Sequence, residues 1–403
     1  MNQRSIPLHL IILLYALASL SATVSAATYY VATNGKDSNP GTSSAPFRTI
    51  AQGVSVLQPG DTLLIREGTY KETLHHGSEF IPSGLSWSQP ITISAYPGEK
   101  VVMKPYSGGS VLGLTGGQQY LIIKGIIFDA INCSGDAVGI NSGTHHIRFI
   151  GGEIKNASKS GVLVSPGGRH IPATDIEFIN MKIYDNNSSG KGHGMYISTS
   201  NNLVDGCEVY RNGGYGIHVY AGKGRADNNT VRNNKVYDNG RNPDTGFTAA
   251  GIILSGGDGN EAYNNVVWNN PNGVSVSWQN PVNAAVYNNT IYNNSGAGIT
   301  INYALNTLVA NNITYNNGVD LVDNGIGTNL ANNLISDPHF ANPDSFDFTL
   351  RDSSPAIDAG IDLPNGTDIL GRSRTGHTDI GAFEHDPENR PASPRRVRPV
   401  FGY

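Results

Sequence analysis

The chain has 403 residues, a formal net charge of −5, 49 glycines and 15% charged residues. An acidic chain of this kind has no electrostatic footprint for nucleic acid, so no nucleic-acid partner is expected. A mature chain this long is too large for one compact core of ordinary shape, whereas an elongated repeat escapes that limit because each unit packs only on its neighbours.

The first elements in chain order are a leader and a strand–helix–strand unit. Arg4, an apolar run from Leu8 to Leu20 and the small residues Val24-Ser25-Ala26 read as a signal peptide over residues 1–26. The run falls short of the about 20 apolar residues that a membrane span needs. Export to the cell envelope or the medium is therefore expected, as is a mature chain without a membrane span. Residues 27–80 form the N-terminal cap. YYVA (29–32) and DTLLIR (61–66) are strands. PFRTIAQGVSVL (46–57) places Phe47, Ile50, Ala51, Val54 and Leu57 on one helical face, with Ser43 or Ser44 as N-cap.

Residues 81–333 repeat. FINMKIYDN (178–186), VDGCEVYRN (204–212), VRNNKVYDN (231–239), AYNNVVWNN (262–270), VYNNTIYNN (286–294) and VANNITYNN (309–317) share one frame. Met181, Cys207, Asn234, Asn265, Asn289 and Asn312 are equivalent, with Ile126 and Gly152 upstream and Asn333 downstream. Each run reads as a strand ending in an Asn-rich turn. A second strand follows, always beginning with Gly: GVLVS (161–165), GMYIS (194–198), GIHVY (216–220), GIILS (251–255), GVSVS (273–277) and GITIN (298–302). Coils of 21–31 residues with period-two alternation and no long helix predict an all-β fold, a right-handed parallel β-helix of about ten coils. Its rungs would be about 4.8 Å apart. The Asn pairs suit turns and coil-to-coil side-chain ladders.

Residues 334–385 leave the repeat, become rich in Pro and Asp, and are expected to cap the far end irregularly. Residues 386–403 have little that can pack and read as a disordered tail. The frame places Cys133 and Cys207 three coils apart, roughly 14 Å and too far for a disulfide. Two free thiols are predicted, as is a monomer.

Several stretches are similar to those of a known group. ATYYVATNGKDSNPGTSSAPFRTI (27–50), PGDTLLIREGTY (59–70) and PITISAYPGEKVV (90–102) resemble the start of secreted bacterial β-helix proteins of the pectate-lyase-like superfamily. SPAIDAG (354–360) and DIGAFE (379–384) resemble a C-terminal segment of such proteins. The resemblance implies a polysaccharide partner but leaves lyases, epimerases and hydrolases open. The acidic–Gly run followed by Lys of calcium-dependent pectate lyases is absent, and calcium stays open as a cofactor. Gly192-His193-Gly194 is similar to a polygalacturonase motif, without its Asp-Asp pair or Arg-x-Lys.

The second strands carry the candidate site. Met195, Ile197, Ile217, Val219, Ile252, Leu254, Val274 and Val276 point inward. Leu163, Ser165, Tyr196, Ser198, His218, Tyr220, Ile253, Ser255, Ser275, Ser277, Thr300 and Asn302 point outward. Tyr196 and His218 then become neighbours on adjacent coils. Residues 182–241 carry eight basic and five acidic groups, against 11 and 11 over 27–181 and three and 16 over 242–389. The predicted catalytic residues are Lys191, His193, Tyr196 and His218. The predicted substrate-binding residues are Arg211, Tyr220, Lys223 and Arg225, and no metal ligands are assigned. Such a group suits β-elimination or epimerisation of a uronate polymer, with His or Lys as base, Tyr as acid and Arg on the carboxylate. A non-catalytic carbohydrate-binding rod is the alternative, and hydrolysis through Asp185 and Asp205 a further one. His145, His146 and His170 read as surface residues.

Overall fold

The computed structural model describes residues 26–75, 81–168, 171–187, 192–222, 225–240, 248–374 and 376–386. The expected signal peptide, except Ala26, and the expected tail beyond Asp386 lie outside them. So do Lys191, Lys223 and His170.

Three parallel sheets run the length of the molecule. Sheet A stacks twelve strands from Thr28–Val31 to Asn329–Ala331, and sheets B and C stack ten each. Sheet B runs from Gly68–Tyr70 to Ile313–Tyr315, and sheet C from Leu74–His75 to Val319–Ile326. One coil visits A, B and C in turn, as in Leu203–Asp205, Glu208–Tyr210 and Ile217–Tyr220. Each strand pairs with its equivalent one coil on, as Val204 does with Val231 and Val209 with Val236.

The nine-residue runs are therefore two strands and a corner, not one strand. Asn180, Asn233, Asn264, Asn288, Asn311 and Asn332 take left-handed φ of 47–56° between sheets A and B. Asn tolerates that region better than other residues with a Cβ. A corner there turns the chain while both flanking strands keep their alternation. The residue after each corner points inward, and where it is Asn it forms a ladder. Asn234, Asn265, Asn289 and Asn312 each pass an Nδ2–H to the Oδ1 of the next Asn at 2.9–3.0 Å, ending on Asn333. A second ladder, Asn186 to Asn317, lines the B–C corner, and a third, Asn202–Asn229–Asn260, the C–A corner. The ladder amides are thus satisfied along the rod axis, and most of the remaining interior is aliphatic and aromatic.

The predicted inward residues of the second strands are all at most 1% exposed. Both cysteines are free and buried. The N-terminal helix is shorter than expected, Ile50–Ser55, and its N-cap is Thr49 rather than Ser43 or Ser44. Phe47 is held in a bridge with Val31, which keeps the chain extended until Thr49, whose Oγ1 accepts from Gln52 N–H at 3.1 Å. The helix packs Ile50 and Val54 into the core beside the first two strands of sheet A.

The C-terminal segment departs further from expectation. Instead of crossing the end of the stack, it folds back over the outer face of sheet B. Phe340, Phe348, Leu350, Ile380 and Phe383 pack against Trp268, Tyr237, Tyr292 and Tyr315. Its backbone is pinned by Gly381 N–H to Asn311 O and Ala382 N–H to Thr290 Oγ1. The outward aromatic residues of sheet B give it an apolar seat, while Val319, Ile326 and Leu330 of the last coil are 47–69% exposed.

Candidate active site

The outward column of sheet C holds the predicted cluster. Leu163, Tyr196, His218, Ile253, Ser275 and Thr300 are successive register partners. Tyr196 and His218 have ring centroids 5.1 Å apart, and Tyr220 lies 5.2 Å from His218 and 5.7 Å from Tyr196. His193 joins them from the preceding corner, 5.4 Å from Tyr196 and 4.9 Å from His218. The glycines flanking it have a steric cause. A Cβ on Gly192 would lie 2.6 Å from the Lys159 carbonyl, and one on Gly194 would lie 2.6 Å from the Gly216 carbonyl. Gly-His-Gly is thus a close rung-to-rung approach that delivers one imidazole into the column.

The histidines of this outer face are not solvated, contrary to expectation, whereas Tyr196 and Tyr220 are half-buried. His193 and His218 are each 8% exposed, and Ile253 and Ser255 less. Tyr215, Ala249 and Ala250 cluster with Ile253 over the column. Tyr215 occupies the position before the strand Gly, as His193 does one coil earlier. That shared position is a sequence signal for Tyr215 that the outward alternation does not contain. Ser255 is the other added member, its Oγ 3.2 Å from His218 Nε2.

Burial sets the protonation. It pushes His193 down to about 4, and pushes His218 well below its ordinary range with His193 adding to the effect. Both imidazoles are neutral at pH 7. His193 Nδ1 accepts from the Tyr215 backbone N–H at 3.2 Å, which places the proton of neutral His193 on Nε2. His218 Nδ1 is closed to solvent and has no hydrogen-bond partner among the described residues. Burial raises the phenols of Tyr196 and Tyr215 to about 12 each, with Tyr220 adding at Tyr196, so both hold their protons.

Beside this cluster lies a cavity of about 530 Å³, lined by Ser165, Pro166, Gly167, Gly168, Tyr196, Ser198, Tyr220 and Gly222. Tyr196 and Tyr220 wall it, whereas the imidazoles pack on those tyrosines without lining it.

Not all predicted residues converge here. Arg211 sits at the B–C corner, paired with Asp185 at 2.6 Å and packed over the ring of Tyr210. Arg225 pairs with Asp227 at 2.5 Å in the turn beyond sheet C. Asp205 is bound by Arg232 and Asn233 on sheet A. Asp185 and Asp205 thus do not flank the cavity, and no carboxylate lines it among the described residues. The described residues assemble no group of three or more His, Cys, Asp or Glu able to hold a metal ion, so calcium finds no ready cage among them. His145 and His146 are half-buried on sheet A, Nδ1 to Nδ1 at 2.7 Å, in a patch with Trp87 and Tyr120.

Known proteins share this architecture. The family described as Pel9A-like, right-handed β-helix region, matches residues 29–194, and the family of right-handed β-helix regions matches residues 161–335. The uncharacterized protein YwoF of Bacillus subtilis (strain 168) is 29% identical over 68% of this chain and 63% of its own. Pectate lyase PEL9 of Emericella nidulans is 25% identical over 68% of this chain and 56% of its own. The chain spans about three-fifths of the length of these two relatives. The crystal structure of pectate lyase Pel9A superposes with a TM-score of 0.63 and 20% identity, covering 90% of this chain and 98% of that one. With its stacked parallel sheets, this chain is a right-handed parallel β-helix protein that carries a Pel9A-like region and a right-handed β-helix region.

Proposed function

We propose that this is an exported enzyme acting on a uronate-containing polysaccharide, a lyase or an epimerase, with its site on the outer face of sheet C. Both reactions begin by removing the proton beside the uronate carboxylate. The observation that carries the reading is a pair of neutral, buried imidazoles packed on the two tyrosines that wall a cavity. Pectate lyases among similar proteins support the substrate class.

In this reading His218 Nδ1 is the base. It takes the proton once the half-buried rings of Tyr196 and Tyr220 shift to admit the sugar. Tyr196 then gives its phenolic proton to the departing glycosidic oxygen, and the C–O bond breaks as the C=C bond forms. In an epimerase the proton instead returns to the same carbon from the opposite face. Lys191 and Lys223 supply the positive charge that stabilises the enediolate. Arg211 and Arg225 are left out because their guanidiniums are already paired away from the cavity. Hydrolysis is less favoured because no carboxylate among the described residues lines the cavity.

The test is incubation with polygalacturonate, alginate and glycosaminoglycans, with and without calcium. Ultraviolet absorbance reports unsaturated products, and NMR in deuterated water reports exchange beside the carboxylate. Tyr196→Phe and His218→Ala should each lower turnover by roughly 100-fold or more while leaving the fold intact. Absence of both signals on every polymer, with binding retained, would replace the enzyme by a carbohydrate-binding rod.

A further inference from the structure

A second cavity of about 530 Å³ lies on a different face, between sheet B and the C-terminal segment folded over it. It is not general looseness of that contact, because Phe348 and Phe340 nearby are at most 4% exposed. Trp268 and Phe346 line it, together with Lys235, Glu208, Asp238 and Asp347.

Two of these residues are unusual. Trp268 is 5% exposed and stacks on Tyr237 at 4.3 Å, yet its Nε1–H has no acceptor among the described residues. A buried indole N–H normally finds one. Phe346 is 55% exposed and takes φ of 60°, a left-handed conformation that bulky residues rarely adopt. That strained turn holds its ring 5.5 Å from Trp268 instead of tucking it into the core.

We propose that this cavity is a second carbohydrate site, for a neutral pyranose ring. Its volume is in the range of small-ligand pockets, about 300–1,000 Å³. Aromatic side chains meet the apolar face of a sugar, and carboxylates accept from its hydroxyls. Glu208 accepts from Tyr237 Oη at 2.7 Å on one oxygen and pairs with Lys182 at 3.5 Å on the other, and each oxygen keeps a lone pair for a further donor. Glu208, Asp238 and Asp347 outnumber Lys235 and the Lys182 paired with Glu208, which disfavours a uronate, so the site differs in charge preference from the reading given for sheet C. Its failure would leave that reading untouched.

The experiment is calorimetric titration of the full chain with cellotriose, galactotriose and trigalacturonate. The variants are Phe346→Ala, Trp268→Phe and, as a control for the other cavity, Tyr196→Phe. At least one neutral trisaccharide should bind. Phe346→Ala and Trp268→Phe should each weaken it by about tenfold or more, and Tyr196→Phe should leave it unchanged. Phe346 is exposed, so its truncation keeps the test valid should Trp268→Phe perturb folding. The proposal fails if no neutral trisaccharide binds, if binding is unchanged in Phe346→Ala, or if trigalacturonate competes for the same site.

Discussion

Asn289 shows how much a single side chain does in this fold. It is fully buried, accepts from the backbone N–H and Nδ2–H of Asn265, and donates to Asn312 Oδ1 and the Ala262 carbonyl. Asn289→Leu leaves several of these groups unpaired in the interior and should cost about 3 kcal/mol by denaturant unfolding. An equal loss in an Asn at an exposed corner, such as Asn293→Ser, would contradict the ladder's role. His193 makes a pH prediction. Its folded value of about 4 lies below the ordinary 6.5, so the unfolded chain binds the extra proton between those values. The contribution is present in full above pH 6.5 and is lost as pH falls through 4, by about 3 kcal/mol. Thermal melts at both ends of that window should differ less in His193→Gln than in the parent. Which residues point outward was legible from the Gly-initiated alternation. Their burial was not, because it depends on Tyr215, Ala249 and Ala250 arriving from other corners.

At the scale of the element, period-two patterning identified strands but not where one ended. In runs such as VRNNKVYDN the inward residues are Val231, Asn234 and Val236, so the left-handed Asn233 shifts the alternation by one, and only the three-sheet geometry reveals that corner. The C-terminal segment was legible as a departure from the repeat. Its seat was not, since nothing local in residues 334–385 says that Tyr237, Trp268 and Tyr292 present an apolar outer face. Phe348, 2% exposed, anchors that segment. Phe348→Ala should release it, giving limited-proteolysis cuts between residues 334 and 386 while the coils stay resistant. Equal resistance in parent and variant would show that the segment is held mainly by its backbone contacts.

For the whole molecule, stacking converts sequence separation into proximity. Tyr196 and His218 are 22 positions apart and share a register because one coil intervenes. The repeat made that column readable. Lys191 and Lys223 remain part of the proposal only. The start of the rod carries one more expectation. Ala27 N lies 2.7 Å from Asp61 Oδ1, and Asp61 is 2% exposed. Removal of a leader after Ala26 would place a charged amine against that carboxylate, and intact-mass analysis of exported protein should find Ala27 first. A mature chain beginning elsewhere would separate this contact from processing.

The central claim is that coil stacking gathers His193 and His218 into one buried, neutral pair beside Tyr196. Nitrogen chemical shifts of the histidine side chains, followed by NMR from pH 8 to about pH 5, test it directly. The account predicts that both imidazoles stay neutral throughout, with His193 in its Nε2–H form. Titration of either ring near the ordinary histidine value would contradict it.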